Sequence, residues 1–139
     1  MKWWGDKSVQ DLNREFEKEM AAPHVERYVV SHEGRAFAFV QVCDAHADDD
    51  GWWPDATLGT WAIDYLIGEP DLIGKGLGTA LIRQFSEELL ARPGAHTVTA
   101  DPEPDNVASI RAAEKAGFRQ SGLVDTPDGI AMLMVRSCA

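Results

Sequence analysis

Glycine occupies three alternating positions, Gly74, Gly76 and Gly78, and a hydrophobic pattern of helical spacing follows at once. Glycine loses more conformational freedom on folding than any other residue, so three within five positions need a reason. A β-like segment precedes them at residues 58–66, which predicts a strand, a tight turn and the N-terminus of a helix. The unpaired N–H groups and positive dipole end there favour an anion such as a phosphate. A turn without any ligand is the alternative, and the motif alone favours neither.

Two familiar nucleotide-binding loops do not fit the spacing of these glycines. A P-loop needs Gly-Lys followed by Ser or Thr, but Lys75 precedes Gly76 and Glu69 stands where the first glycine belongs. The dinucleotide pattern needs a third glycine where Thr79 or Leu81 stands. Both readings are therefore excluded.

Hydrophobic periodicity and turn residues in the rest of the chain predict a mixed α/β fold in one domain, residues 1–139. Helices are expected at residues 8–20, from 77 to about 89, and at 107–116. Strands are expected at residues 28–31, 36–42, 58–66, 97–100, 118–124 and 130–135, with the first two and the last two paired as hairpins.

Charge and composition narrow the possible partners. A net charge of −10 argues against binding a nucleic-acid backbone and suits a cationic small molecule, although acidic surfaces also simply confer solubility. The sequence has neither a membrane-spanning apolar run nor a secretion signal, and Cys43 and Cys138 lie far apart, so we expect a cytoplasmic protein with reduced thiols. Four scattered histidines predict no metal site, and no Gly-x-Ser-x-Gly elbow of a serine hydrolase occurs.

Two segments, GKGLGTALI from Gly74 and DPEPDNVASIRAAEKAGF from Asp101, resemble the GNAT acetyltransferase superfamily. Within it, WWG, DGWWPD, WAIDYLIGEPDLIGKGLGT and TPDG resemble aminoglycoside 6′-N-acetyltransferases and siderophore-acylating relatives. The resemblance implies a mixed, mostly antiparallel sheet with flanking helices, and acetyl-CoA as co-substrate. Relatives carry a strand and a helix before WWG that this chain is expected to lack. The sheet edge would then be open or covered by a partner chain in a homodimer.

The resemblance also implies the roles of individual residues. Asp64 matches the family's proposed base. An alkyl amine has a pKa near that of Lys, ~10.4, so at neutral pH it is mostly protonated and a base must take its proton before it can attack. An ordinary strand-end aspartate is the alternative. The implied coenzyme-binding residues are Leu66, Ile73, Gly74, Lys75, Gly76, Leu77, Gly78, Thr79 and Asn106, the last also a good helix cap. The implied substrate-binding residues are Trp4, Asp50, Trp52, Trp53, Asp64, Asp101 and Asp128.

Several of the substrate-side residues have equally ordinary interpretations. Asp101 before Pro102 is typical of a capped turn, and the Asp-Gly pair at Asp128 is common in turns without a ligand. Trp52 and Trp53 could stack on sugar rings or cations, or could belong to the core.

One departure from the family concerns the leaving group. Relatives carry a tyrosine, proposed to protonate the departing thiolate, at the position of Ala113. A coenzyme thiol with a pKa near that of Cys, ~8.5, leaves tolerably well without an acid, so a slower or water-assisted step is expected. The sequence thus predicts acetyl transfer from acetyl-CoA to a primary amine, most simply the 6′-amine of an aminoglycoside. Acylation of another amine or hydroxylamine, and a non-catalytic acyl-CoA sensor, are the alternatives.

Overall fold

A computed structural model describes residues 12–17, 25–47, 53, 56–67 and 76–138. The described part of the chain forms one seven-stranded sheet in the order β1-β2-β3-β4-β5-β7-β6. Neighbouring strands are antiparallel except for β4 and β5, which are parallel. In chain order the elements are β1 Leu12–Glu17, β2 Val25–His32, β3 Arg35–Asp44, β4 Thr60–Ile67, α1 Leu77–Leu90, β5 Thr97–Ala100, α2 Val107–Lys115, β6 Arg119–Thr126 and β7 Gly129–Ser137.

The helix predicted for residues 8–20 is wrong over the part that the structure describes. Leu12–Glu17 is a strand that pairs with β2, from Leu12 opposite His32 to Glu17 opposite Arg27. The helical spacing is a weak local preference, and backbone pairing with β2, the next strand in the chain, overrides it. The outer edge of β2 is therefore covered by this chain itself. The expected lack of an earlier strand and helix, relative to the family, stays a prediction.

Both helices pack on one face of the sheet. Leu81, Phe85 and Leu89 of α1 are at most 2% exposed and lie in one hydrophobic cluster with residues of α2 and the central strands. A smaller cluster of Cys43, Ala45 and Ala62 forms on the opposite face. Neither described helix, 14 and nine residues long, is long and apolar enough to span a membrane.

The parallel pair of strands separates part-way along its length. Pairing of β4 with β5 runs only from Thr60–Thr97 to Ala62–Thr99. Beyond this point β4 continues to Ile67 along β3. The chain after β5 instead stays with β7, where the Met132 N–H donates to the Pro102 carbonyl at 2.9 Å. Because β4 stays paired with β3 while the chain after β5 stays bonded to β7, a gap opens between β4 and β5.

Candidate active site

A cavity of about 410 Å³ lies in the gap between β4 and β5. Four carboxylates line it, and none of its lining residues in the described part of the chain is Lys, Arg or His. No group of three or more His, Cys, Asp or Glu side chains within the described ranges is arranged to hold a metal ion. An acidic cavity of this kind suits an organic cation. The described lining residues are Ile63, Asp64, Tyr65, Ala100, Asp101, Pro102, Glu103, Asn106, Ser109, Ala113, Thr126, Asp128, Ile130 and Ala131.

Three of the predicted aspartates come together here from separate segments. Asp64 lies on β4, Asp101 directly follows β5, and Asp128 occupies the turn between β6 and β7. The turn is braced by Thr126, whose hydroxyl accepts from the Asp128 N–H at 3.2 Å and donates to the Gly129 carbonyl at 2.7 Å. The fold thus gathers residues up to 64 positions apart, since 128 − 64 = 64.

Asp64 lies on the part of β4 that extends beyond the pairing with β5, with three strand residues after it, and its Oδ1 accepts a hydrogen bond from the Tyr65 N–H at 2.9 Å. The residue is exposed, but the walls of the cavity still shield its carboxylate from part of the bulk water. This desolvation raises the pKa of Asp64 above 3.8, and the hydrogen bond from Tyr65 opposes the rise. A carboxylate with a raised pKa is a stronger proton acceptor than an ordinary one.

Among the described residues that line the cavity, Asp101 has the acid pKa that is shifted most. Burial, followed by the negative charges of Asp64 and Asp128, raises the pKa of Asp101 to about 6. A backbone hydrogen bond within Asp101 itself opposes these effects. Asp101 is thus within range of the charges of Asp64 and Asp128, and a bound cation would relieve this repulsion.

The helix N-terminus after the glycine turn is described from Gly76 onward. Gly76 is the N-cap of α1 with a positive φ of 77°, and no side chain caps the helix among the described residues. A Cβ at this position would meet no described atom within 4 Å, so no described residue fills the space beside Gly76 at the start of the helix. These features fit the pyrophosphate of a coenzyme.

The other predicted coenzyme residues are only partly described. Leu77 is buried at 3% exposure, Leu66 is 69% exposed at the far end of β4, and Gly78 and Thr79 are half-buried in the first turn of α1. Asn106 caps α2 by accepting from the Ser109 N–H at 3.2 Å and also lines the cavity. Ile73, Gly74 and Lys75 lie outside the described residues.

No tryptophan is among the described residues that line the cavity. Trp53 packs against Cys43, Ala45 and Ala62 on the sheet face opposite the helices, and it is not among the described lining residues. Trp4, Asp50 and Trp52 lie outside the described residues, so their predicted roles stay predictions.

Sequence reasoning missed a pair of hydroxyl groups and a fourth carboxylate. The Tyr65 hydroxyl donates to the Ser109 Oγ at 3.1 Å, and both residues line the cavity. Burial raises the pKa of Tyr65 most, the negative charge of Asp64 adds to this, and the bond to Ser109 opposes it. Glu103 lies two residues after Asp101 in the same loop, and Tyr65 directly follows Asp64. Proximity to predicted residues was the only signal for either.

Comparison with known proteins identifies the family. A family model described as an acetyltransferase (GNAT) domain matches residues 1–126. The chain belongs to this family of acetyltransferases. The resemblance, the GNAT fold and the enzyme class predicted from the sequence are thereby confirmed.

Two relatives and one solved structure that resemble this chain are all aminoglycoside acetyltransferases or resistance proteins by name. The aminoglycoside N(6′)-acetyltransferase type 1 of Klebsiella pneumoniae is 34% identical over 143 aligned residues, covering 99% of this chain and 71% of that protein. A kanamycin resistance protein of Rhizobium radiobacter is 42% identical over 62% of this chain and 81% of its own length. The structure is similar to that of the aminoglycoside acetyltransferase AAC(6′)-Ib in complex with coenzyme A and kanamycin. Their TM-score is 0.80 and their sequence identity 39%, over 85% of this chain and 69% of that one.

Proposed function

We propose that the protein transfers an acetyl group from acetyl-CoA to the 6′-amine of an aminoglycoside. The observation that carries the proposal is the acidic cavity between β4 and β5, where carboxylates from three segments converge. An aminoglycoside carries several ammonium groups, so its charges are opposite in sign to the carboxylates of the cavity and can pair with more than one of them. The relatives named above act on, or are solved with, aminoglycosides, which supports the same substrate class here.

In this proposal the four carboxylates divide two tasks between them. Asp64 accepts the proton of the attacking amine, because an amine attacks a thioester only as the free base. Asp101, Glu103 and Asp128 hold neighbouring ammonium groups and so position the 6′-amine. The N–H groups of the first turn of α1 hold the pyrophosphate, and the bound coenzyme supplies the acetyl thioester.

We propose that residues 1–139 act as one domain in the cytoplasm. The free thiols of Cys43 and Cys138 are compatible with that location. Because β1 covers the outer edge of β2, the edge that remains for a partner chain is that of β1, and we propose a homodimer that pairs there.

Release of coenzyme thiol from acetyl-CoA tests the proposal against its alternatives. Kanamycin-type aminoglycosides, polyamines and hydroxylysine serve as acceptors, and the matched control is kanamycin with a hydroxyl in place of its 6′-amine. We expect turnover with the aminoglycosides and a loss of turnover with the 6′-hydroxyl analogue. Turnover only with hydroxylysine would favour the siderophore-type activity. Coenzyme binding without turnover on any amine would favour a sensor.

A further inference from the structure

A phenol lies beside the proposed base, on the other side of the same strand. Asp64 and Tyr65 are consecutive on β4, and successive side chains of a strand point to opposite faces of the sheet. Tyr65 packs against the large hydrophobic cluster on the helix side, whereas Asp64 is exposed. Both nevertheless line the cavity, because it occupies the gap that passes between β4 and β5.

The helix side is also the side expected for the coenzyme. The α1 helix, whose N-terminus fits the pyrophosphate, packs against the same hydrophobic cluster as Tyr65. A thioester lying in the gap would therefore have the Asp64 carboxylate towards the amine and the Tyr65 hydroxyl towards the sulfur. Ser109 holds that hydroxyl from α2 at 3.1 Å. One turn further along α2, Ala113 contributes only a methyl group to the cavity.

We propose that Tyr65 donates a hydrogen bond to the coenzyme sulfur as the thioester bond breaks. Its single proton then turns from the Ser109 Oγ to the sulfur, and the Ser109 hydroxyl donates to the phenol oxygen and keeps it in position. The inference rests on the proposed acetyl transfer. The amine nitrogen forms the C–N bond with its lone pair, and the C–S bond breaks with its electron pair passing to sulfur. Asp64 takes the amine proton and returns it to solvent, and the thiolate takes a proton from solvent. The net products are the amide and the free thiol.

The hydroxyl acts as a hydrogen-bond donor and not as a proton donor. Burial raises the pKa of Tyr65 above 10, so the phenol keeps its proton throughout the physiological range. A coenzyme thiol resembles Cys, with a pKa of ~8.5, and full transfer of the phenol proton to its thiolate is unfavourable. A fixed donor aimed at the atom where charge develops stabilises the transition state without proton transfer.

The first test measures the bound coenzyme and needs no acceptor amine. The thiol pKa of free coenzyme A bound to the protein is followed by the ultraviolet absorbance of the thiolate, in the parent and in Tyr65→Phe. We expect the thiol pKa to rise by about one unit in Tyr65→Phe, a tenfold loss of thiolate stabilisation. Ser109→Ala should raise it less, because the phenol remains. Equal thiol pKa values in the parent and Tyr65→Phe would overturn the proposal.

The second test uses the leaving group. Tyr65→Phe should lower kcat about 10- to 100-fold and leave both KM values within about threefold. The selenoester analogue of acetyl-CoA has a less basic leaving group, so most of the loss should disappear with it. Tyr28→Phe is the matched control, since it removes a hydroxyl that is bonded to Glu26 in the core. An equal loss with thioester and selenoester would overturn the proposal. Absence of turnover on aminoglycosides, with the thiol pKa shift present, would overturn only the proposed substrate.

Discussion

Neighbouring carboxylates of one cavity are expected to behave differently when each is replaced by its amide. Asp64 is exposed in the second half of β4, whereas Asp101 is partly buried and is repelled by Asp64 and Asp128. A base must remain accessible to the attacking nitrogen and must recover its charge after each turnover. Asp64 meets both conditions, whereas Asp101 is better suited to holding an ammonium group of the substrate that stays protonated throughout the reaction.

Replacement of Asp64 tests the proton transfer directly. Asp64→Asn keeps the size of the side chain and can still accept from the Tyr65 N–H, but it cannot accept the amine proton. We expect kcat/KM to fall by 10²- to 10⁴-fold with coenzyme affinity within about twofold of the parent. Steady-state kinetics and calorimetry check this, with Glu114→Gln, an exposed carboxylate on α2, as the control. Activity within about threefold of the parent would exclude Asp64 as the base, since that is under ~0.7 kcal/mol.

The start of α1 and the turn between β2 and β3 each contain a glycine of the same backbone conformation. Gly76 and Gly34 have φ values of 77° and 78°, and neither has a described atom within 4 Å of an added Cβ. Valine should therefore cost about 1–2 kcal/mol of stability at either position. Gly34 lies in the turn between β2 and β3, away from the start of α1. The two substitutions separate backbone strain from coenzyme binding.

We expect Gly76→Val to lower coenzyme A affinity tenfold or more, because its branched side chain occupies the space through which a phosphate would reach the helix N-terminus. Gly34→Val should lose similar stability and bind normally. Calorimetric titration and thermal unfolding of both variants check this. A folded Gly76→Val protein with parental affinity would remove the pyrophosphate from the start of α1.

Elements with strong local signals were predicted well from the sequence. The strand Thr97–Ala100 and the helix from Val107 have the predicted bounds to within a residue, because Asn106 caps the helix and Gly117, with φ of 101°, follows its end. The residues of β1 pair with residues 10 to 20 positions further along the chain, and no local pattern in Leu12–Glu17 reveals this pairing.

The candidate site was predictable in part for the same reason. Asp64, Asp101 and Asp128 follow from motifs, and the structure brings them to one cavity. The gap itself depends on β3 and β7 holding the two strands apart, and the bond between Tyr65 and Ser109 joins residues 44 positions apart. Such non-local features lie beyond any pattern read along the chain.

For the molecule as a whole, the acidic cavity belongs to a chain of net charge −10, so long-range attraction should assist binding of a polycation. We expect Asp101→Asn and Asp128→Asn to raise KM for the aminoglycoside more than KM for acetyl-CoA. Both should also flatten the dependence of the aminoglycoside KM on salt, because fewer screened charges remain.

Glu114→Gln makes the same change in net charge outside the cavity and serves as the control. Steady-state kinetics at low and high ionic strength check this. If the control shifts the aminoglycoside KM as much as the cavity variants do, overall charge and not the cavity attracts the substrate.

The carboxylate cluster should also destabilise the folded protein when no substrate is bound. The pKa of Asp101 is about 6 in the folded protein and near 3.8 when unfolded. Between these values the folded state binds more protons than the unfolded state, so the contribution of Asp101 to stability falls as pH rises from about 4 to about 6. Above this window the carboxylate is charged and destabilising, and below it the effect is absent. A site tuned for a cation is thus strained without one.

Asp101→Asn removes this ionisable group and should stabilise the free protein by on the order of 1–3 kcal/mol above about pH 7, with the gain vanishing below about pH 4. Saturating aminoglycoside should shrink the gain, because bound ammonium groups favour the carboxylate of the parent and not the amide. Denaturant unfolding across this pH range, with and without kanamycin, measures both effects, and Glu114→Gln again controls for loss of one charge. Equal stability of Asp101→Asn and parent at neutral pH would show that Asp101 is neither desolvated nor repelled in the fold, and an undiminished gain with bound kanamycin would place the antibiotic away from Asp101.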